Sequence, residues 1–391
     1  MQKSIKKIVV ASVQDPRDHL SWSGSPAQVC EAFERKGIEV VAGGPLKAKD
    51  PRHYNLIRSM LWRTGQGWFM SAVEPRMLKS QAHTLTEILR NEMNVELILS
   101  MLPDGITYLQ TDIPKVFVHD CTFASMLGYY WQYERLSRRS LRQGHDAYRR
   151  ALGNVTAAVF SSEWAAQSAI HDYGADPSMV HVIEFGANLQ NPPSRAEVES
   201  YIAERSARPE KHFLFLGVEW ARKGGKDALA LVRALRKMKI DARLDIAGCA
   251  PELEPGDEEF CIQHGFLDKR KEEGRRKLDK LFAAASYLLV PSTAECYGCV
   301  YCEASAYGMP SIARNTGGVS QVVREGVNGF LLEKDSGNLE TLAEQMKLSL
   351  EEEMYLKLAR SSRAEYETRL NWDRFSSRLM QVMGYGSQTA S

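Results

Sequence analysis

Glu295 and Glu303 stand eight positions apart in the run PSTAECYGCVYCEASAYGMP at residues 291–310, and their setting gives them chemical meaning. The apolar SYLLV before them, closed by Pro291, reads as a buried strand, and VYCEASAY after Gly298 suits a helix. Glu295 then sits in the loop at the helix start, and Glu303 lies about one turn inside. Backbone N–H groups near Gly298 and Cys299, unpaired at a helix start, can face a phosphate, while the two carboxylates accept hydrogen bonds from sugar or ribose hydroxyls. A nucleotide sugar carries both parts.

The elements on either side must hold these residues in place. Downstream, GMPSIARNTGGVSQVVREGVNGFLL reads as a strand opened by Pro310, a glycine stop at Gly317 and Gly318, a helix, and a turn at Asn328-Gly329. Upstream, HFLFLGVEWARKGGKDALALVRAL reads as strand, a glycine-bearing loop with Arg222 and Lys223, and helix. The first half alternates likewise, from the strand KKIVVAS and helix AQVCEAFERKG to KVFVHD, a basic helical stretch, AAVFSS and MVHVIEFGANL. Such alternation implies parallel, doubly wound sheets in an α/β fold. NPPSRAEVESYIAERSARPEKH, with Pro192 and Pro193, breaks the pattern and reads as a linker. The expected organisation is a first domain over 1–190, a linker over 191–210, a second domain over 211–368 and a returning C-terminal helix over 369–391.

Composition agrees with a large enzyme and removes other classes. With 391 residues the chain exceeds one ordinary core, so two domains of roughly 190 residues each are expected. A formal net charge of +1 gives no reason to expect a nucleic-acid partner. No apolar run approaches the roughly 20 residues that span a bilayer. MQKSIKKIVVAS reads as a first strand rather than a secretory signal, so a cytoplasmic protein is expected. Cys296, Cys299 and Cys302 form C-x2-C-x2-C, the opening of an iron–sulfur ligand run, but the fourth ligand position holds Ala306 and a helix would spread the sulfurs over different faces. Seven cysteines without a secretion signal read as reduced thiols, with Cys30, Cys121, Cys249 and Cys261 as small buried hydrophobes.

The E-x7-E pair with its flanking strands and the R-K-G loop resembles the nucleotide-binding half of retaining glycosyltransferases of family 4, which have the GT-B fold. The resemblance spans nearly the whole chain, although the N-terminal half matches in layout more than in letters. It implies two Rossmann-like domains facing a central cleft. By that resemblance Glu303 accepts both ribose hydroxyls, Glu295 contacts the donor sugar, and Arg222 and Lys223 clamp the leaving diphosphate. Tyr297, Gly298 and Cys299 belong to the same donor loop, and Gly265 and Phe266, after His264, match the loop whose backbone meets the base. Val218 falls where many relatives have an arginine directly after the glycine, so that either one clamp cation is missing or Arg222 replaces it from four residues downstream.

In the first half, His119 and Asp120 end KVFVHD, at the carboxyl end of a strand where α/β sheets place their ligands. His119 matches the family's histidine that faces the donor sugar; its bland reading is an interior histidine. Asp120 either orients an acceptor hydroxyl or caps the next helix. Ser23 and Gly24 match the glycine-bearing loop that approaches the donor phosphate, or form an ordinary turn.

The reaction implied is transfer of a hexosyl group, from a UDP-sugar ahead of GDP-mannose, to a hydroxyl-bearing acceptor with retention at the anomeric carbon. No resident cofactor is expected, the nucleotide sugar being a co-substrate, and without an Asp-x-Asp motif no metal is expected either. Two other readings stay open: a nucleotide-sugar 2-epimerase on the same fold, and a sugar-nucleotide-binding protein without catalysis. The acceptor is not legible. Met60, Trp62, Trp68, Met70 and Met77 in the 51–105 segment read as core, and the basic run Arg135, Arg138, Arg139, Arg142, Arg149 and Arg150 reads as a solvated helix face that leaves peripheral contact with the inner face of a membrane open.

Overall fold

The computed structural model describes residues 4–333 and 339–385. The parts of the expected domains that fall on residues 1–3, 334–338 and 386–391 lie outside the described residues. The chain divides into two compact units, one of residues Met1–Glu184 with Phe375–Ser391 and one of Phe185–Arg374.

The first unit holds a six-stranded sheet of β1 (Lys7–Ala11), β2 (Glu39–Gly43), β3 (Leu97–Ser100), β4 (Lys115–His119), β5 (Ala157–Phe160) and β6 (Val180–Val182), in the order β2-β1-β3-β4-β5-β6. Every pairing is parallel. β3, β4 and β5 are buried along their whole length, which is why LILS, KVFVH and AAVF read as almost unbroken apolar runs. The order turns back on itself between β1 and β3, so the loops leaving those strands, and β4 beside them, frame the crevice where such sheets take ligands.

The second unit repeats the plan with β7 (Lys211–Leu216), β8 (Ala242–Ala247), β9 (Cys261–Gly265), β10 (Tyr287–Val290), β11 (Ser311–Arg314) and β12 (Gly329–Leu332). Its order is β12-β11-β10-β7-β8-β9, again all parallel. The chain moves outward from β7 to β9, then returns to the other side of β7, so the switch point lies between β7 and β10. The loops after those two strands carry Arg222 and Lys223, and Glu295.

The expected linker is different in the structure. Residues Arg195–Ala207 form a helix opened by a capping box, in which Ser194 and Glu197 satisfy each other's backbone N–H. Val198 and Ile202 of this helix are fully buried in the core of the second unit. The two prolines therefore end one segment without making the next a tether, because the helix has an apolar face to bury. At the other end, the helix Trp372–Val382 begins in the second unit and from Phe375 onward belongs to the first.

Arg205 of the same helix is buried with 1% exposure and has no carboxylate partner among the described residues. Its guanidinium instead donates to the carbonyls of Tyr307 at 2.9 Å, Gly308 at 3.2 Å and Ala285 at 3.0 Å. The first two lie at the C-terminal end of the helix Cys299–Ala306, where a cation complements both the unpaired carbonyls and the helix dipole. Arg363 takes the carbonyl of Ala306 in the same way. Arg205→Ala is expected to lower stability by about 3 kcal/mol or more, because it strands several buried acceptors at once. Urea unfolding checks this, and Arg205→Lys should rescue little because one ammonium cannot reproduce the fork.

Candidate functional site

The loop after β7 and the loop after β10 are brought together by a glycine. Gly224 has φ +76°, and a Cβ built on it would lie 2.1 Å from the carbonyl oxygen of Pro291. Any side chain there would push the two loops apart. Thr293 N–H donates to the carbonyl of Arg222 at 2.8 Å, which completes the junction.

This approach determines where the charges go. Lys223 Nζ donates to the carboxylate of Glu295, and Arg222 Nη1 lies 3.8 Å from the same carboxylate. Arg222 also donates from Nη1 to the carbonyl of Ala294 at 2.9 Å and from Nε to Glu219 at 2.6 Å. Lys223 and Glu295 keep only 15% and 13% of their side-chain surface exposed, so Lys223 is not a solvated loop lysine. Val218 is exposed, with Arg222 four positions on as the nearest cation in the loop sequence.

Gly298, at φ +91°, forms the left-handed cap of the helix Cys299–Ala306. A Cβ there would meet the ring of Tyr301 at 2.4 Å. Glu303 lies on this helix with 3% exposure. Burial pushes its carboxyl up from the usual range, with partial relief from the Lys269 ammonium and from Lys223. Lys269 Nζ stands 3.3 and 3.5 Å from the two carboxylate oxygens. The sequence reading did not single out Lys269. Its signal was available in HGFLDKRKEEG, a cation just past a strand on the ligand side of the sheet. Nearby, His264 Nε2 pairs with Asp245 at 2.8 Å, Gly265 has φ +63° and Phe266 is exposed.

Tyr297 departs from expectation in its side chain. The ring is buried, and its hydroxyl donates to the carbonyl of Phe185 at 2.9 Å, so only its backbone lies open in the loop after β10. The cysteines form no shared centre: among the described residues the sole trio with ligand atoms within 4.8 Å is His119, Asp120 and Cys121, and Cys302 turns its thiol to the carbonyl of Phe185. None of the seven cysteines is joined to another by a disulfide.

In the first unit, Trp22, Ser23 and Gly24 are three successive left-handed residues, at φ 45°, 58° and 94°, leading into the helix Ser25–Glu34. For Trp22 and Ser23 this conformation costs on the order of 1 kcal/mol each. A Cβ on Gly24 would approach the carbonyl oxygen of His19 to 2.9 Å. The turn sets the Trp22 ring 5.3 Å from the ring of His119. His119 ends β4 with 5% exposure, and burial lowers its pKa. Its Nδ1 lies 2.5 Å from the carbonyl of Cys121, which can only accept, so Nδ1 holds the proton and Nε2 is left as the acceptor. Asp120 lies 4.0 Å from that Nε2. The following helix takes its cap from Thr122, whose hydroxyl accepts from Ser125 N–H, so Asp120 is not the cap.

Among the predicted residues the structure thus gathers Arg222, Lys223 and Glu295 at one switch point with Gly298 and Glu303 on the adjoining helix. In the other unit it gathers Ser23, Gly24, His119 and Asp120 at the carboxyl edge of the sheet.

Residues 200–368 match the family described as glycosyl transferases group 1. A D-inositol 3-phosphate glycosyltransferase of Xylanimonas cellulosilytica is 32% identical over 45% of this chain and 45% of its own length. That of Salinispora arenicola is 25% identical over 97% of this chain and 79% of its own. The chain spans about half the length of the first of these relatives. In structure, sucrose-phosphate synthase of Thermosynechococcus elongatus has a TM-score of 0.66 at 17% identity, over 97% of this chain and 98% of that one. Anabaena HepE in complex with UDP and glucose has a TM-score of 0.59 at 17% identity, over 97% and 99%. These likenesses show the fold, two Rossmann-like doubly wound domains of the GT-B class.

The burial of Glu303 has a sign. Its raised pKa means that the folded protein binds a proton more readily than the unfolded chain, so stability falls as pH rises from the ordinary carboxylate range through the raised value. Glu303→Gln removes this loss. Its unfolding midpoint is expected to exceed that of the wild type by roughly 2 °C or more at pH 8. Thermal unfolding of both proteins from pH 5 to 8 should show the difference shrinking toward the acid end.

Proposed function

We propose that this chain is a glycosyltransferase that moves a hexosyl group from a nucleotide diphosphate sugar to a hydroxyl-bearing acceptor, with retention at the anomeric carbon. The observation that carries the reading is the junction at the second unit's switch point, where Lys223 and Arg222 meet Glu295 beside the cap of the helix bearing buried Glu303. Two cations suit a diphosphate, and a buried carboxylate eight residues on suits the paired ribose hydroxyls. The match of residues 200–368 to glycosyl transferases group 1 supports the same assignment.

In this reading the backbone at Tyr297, Gly298 and Cys299 faces the phosphates, and Gly265 and Phe266 meet the base. Lys269 and Glu303 exchange their contact when the ribose arrives. Glu295 turns from Lys223 toward the sugar as the diphosphate takes over the lysine. In the first unit His119 is assigned to the sugar, Asp120 and Ser23 to the acceptor side, and Gly24 to phosphate approach. The bond from the anomeric carbon to the diphosphate oxygen breaks, the acceptor oxygen bonds to the same face, and the departing phosphate takes the acceptor proton. Catalysis is then chiefly electrostatic and positional.

The direct test is release of nucleoside diphosphate on incubation with donors and acceptors. UDP sugars head the donor panel, and D-inositol 3-phosphate heads the acceptor panel because the relatives carry that name. An isomerised donor would indicate epimerisation, and binding without release would indicate a non-catalytic protein. Lys223→Ala is expected to lower kcat ~100-fold or more, since its hold tightens as charge builds on the leaving group. Wild-type kcat in that variant would defeat the clamp. Because cations of the chain carry the leaving-group charge in this reading, activity is expected to survive excess EDTA, and a loss restored by Mg²⁺ or Mn²⁺ would contradict it.

A further inference from the structure

The His53–Arg63 helix is apolar on both sides. Its inner residues Tyr54 and Leu61 pack with Phe69 and Met77 into a small cluster separate from the main core of the first unit. Its outer face leaves Leu56 73%, Met60 56% and Trp62 66% exposed, where a surface helix is ordinarily polar. The ring of Trp62 lies 5.0 Å from that of Trp68, which is itself 49% exposed. The core reading of this segment therefore holds for Met77 but not for Met60, Trp62 or Trp68. The inner cluster keeps the outer residues in place rather than drawing them inward.

The charge around this patch has one sign. No acidic residue occurs between Asp50 and Glu74, or between Glu134 and Asp146, whereas those two stretches carry seven arginines in a chain of net charge +1. The stretches are joined side by side, with Trp68 N–H donating to the carbonyl of Arg135 at 2.6 Å and Ser137 N–H to that of Trp68 at 2.8 Å. Arg58 and Arg139 are used internally, on Asp50 and Glu74. Arg52, Arg63, Arg135, Arg138 and Arg142 are exposed and make no ion pair among the described residues. An exposed apolar patch of this kind marks an interaction surface.

We propose that this face docks on an anionic lipid bilayer, with Leu56, Met60, Trp62 and Trp68 entering the headgroup boundary and the unpaired arginines meeting lipid phosphates. Charge complementarity selects this occupant, since a shallow apolar face and a cationic rim are the two signals that together hold a protein on such a surface. The proposal goes beyond glycosyl transfer, and its test needs no turnover, so its failure would leave the donor-site reading standing.

The test is co-sedimentation of the full chain with vesicles of phosphatidylglycerol and phosphatidylcholine, against vesicles of phosphatidylcholine alone. Binding to the anionic vesicles only is expected, weakening as salt is raised. Leu56→Ser/Trp62→Ser is expected to lower the partition coefficient about tenfold or more, and Arg135→Gln/Arg138→Gln about 25-fold, at about fivefold per arginine. Both variants should keep wild-type unfolding midpoints, since these side chains are exposed. Wild-type partitioning in both variants, or equal binding to neutral vesicles, would overturn the proposal. So would a lipid-free dimer that Leu56→Ser/Trp62→Ser converts to monomer, which would make the patch a self-interface.

Discussion

The second unit depends on one close approach, that of the backbone at Gly224 to the carbonyl of Pro291. At the switch point of an open parallel sheet the loops that leave the two neighbouring strands run to opposite sides, which opens a crevice between them. Here the absence of a side chain at Gly224 lets the two loops touch, and a backbone hydrogen bond from Thr293 fixes the contact. Every charge at the switch point follows from that distance. Lys223 reaches Glu295 because its neighbour has no Cβ, and Arg222 braces the opposite loop through the carbonyl of Ala294. The chemistry resides in side chains whose positions are decided by main chain.

The helix bearing Glu303 is held from its far end. Three carbonyls at its C-terminus are taken by buried arginines, Arg205 and Arg363, which come from helices otherwise remote in sequence. A helix anchored there keeps its N-terminus, with the Gly298 cap, in a fixed orientation. The helix Arg195–Ala207 is thus part of the second unit and not a tether: it supplies Arg205 to the end of the Glu303 helix. Burying a carboxylate on that helix costs stability, which is the usual sign of a group kept for binding rather than for folding.

Much of this was legible in the sequence. Apolar runs bounded by glycine and proline gave the central strands of both sheets, because strands buried on both faces have little choice of composition. The Glu295 and Glu303 pair and the Arg222-Lys223 loop were legible because backbone and charge requirements act locally. What was not legible depends on contacts distant in sequence. The helix Arg195–Ala207 was concealed by Pro192 and Pro193, and only packing against the second core reveals its apolar face. The inward turn of the Tyr297 ring depends on Phe185, more than a hundred residues away. The exposure of Trp62 and Met60 could not be inferred from residue types that are usually interior.

The pairing of Lys223 with Glu295 bears on which ions the site will tolerate. A lysine already neutralised by a carboxylate offers little to chloride, sulfate or inorganic phosphate, each of which would have to displace an anion tethered at high local concentration. In the proposed function a diphosphate ester does so, because its charge is spread over two groups that engage Arg222 and the helix cap at the same time. On that reading the internal carboxylate works as a threshold against abundant small anions, so that two cations can stand in salty surroundings without being occupied by default.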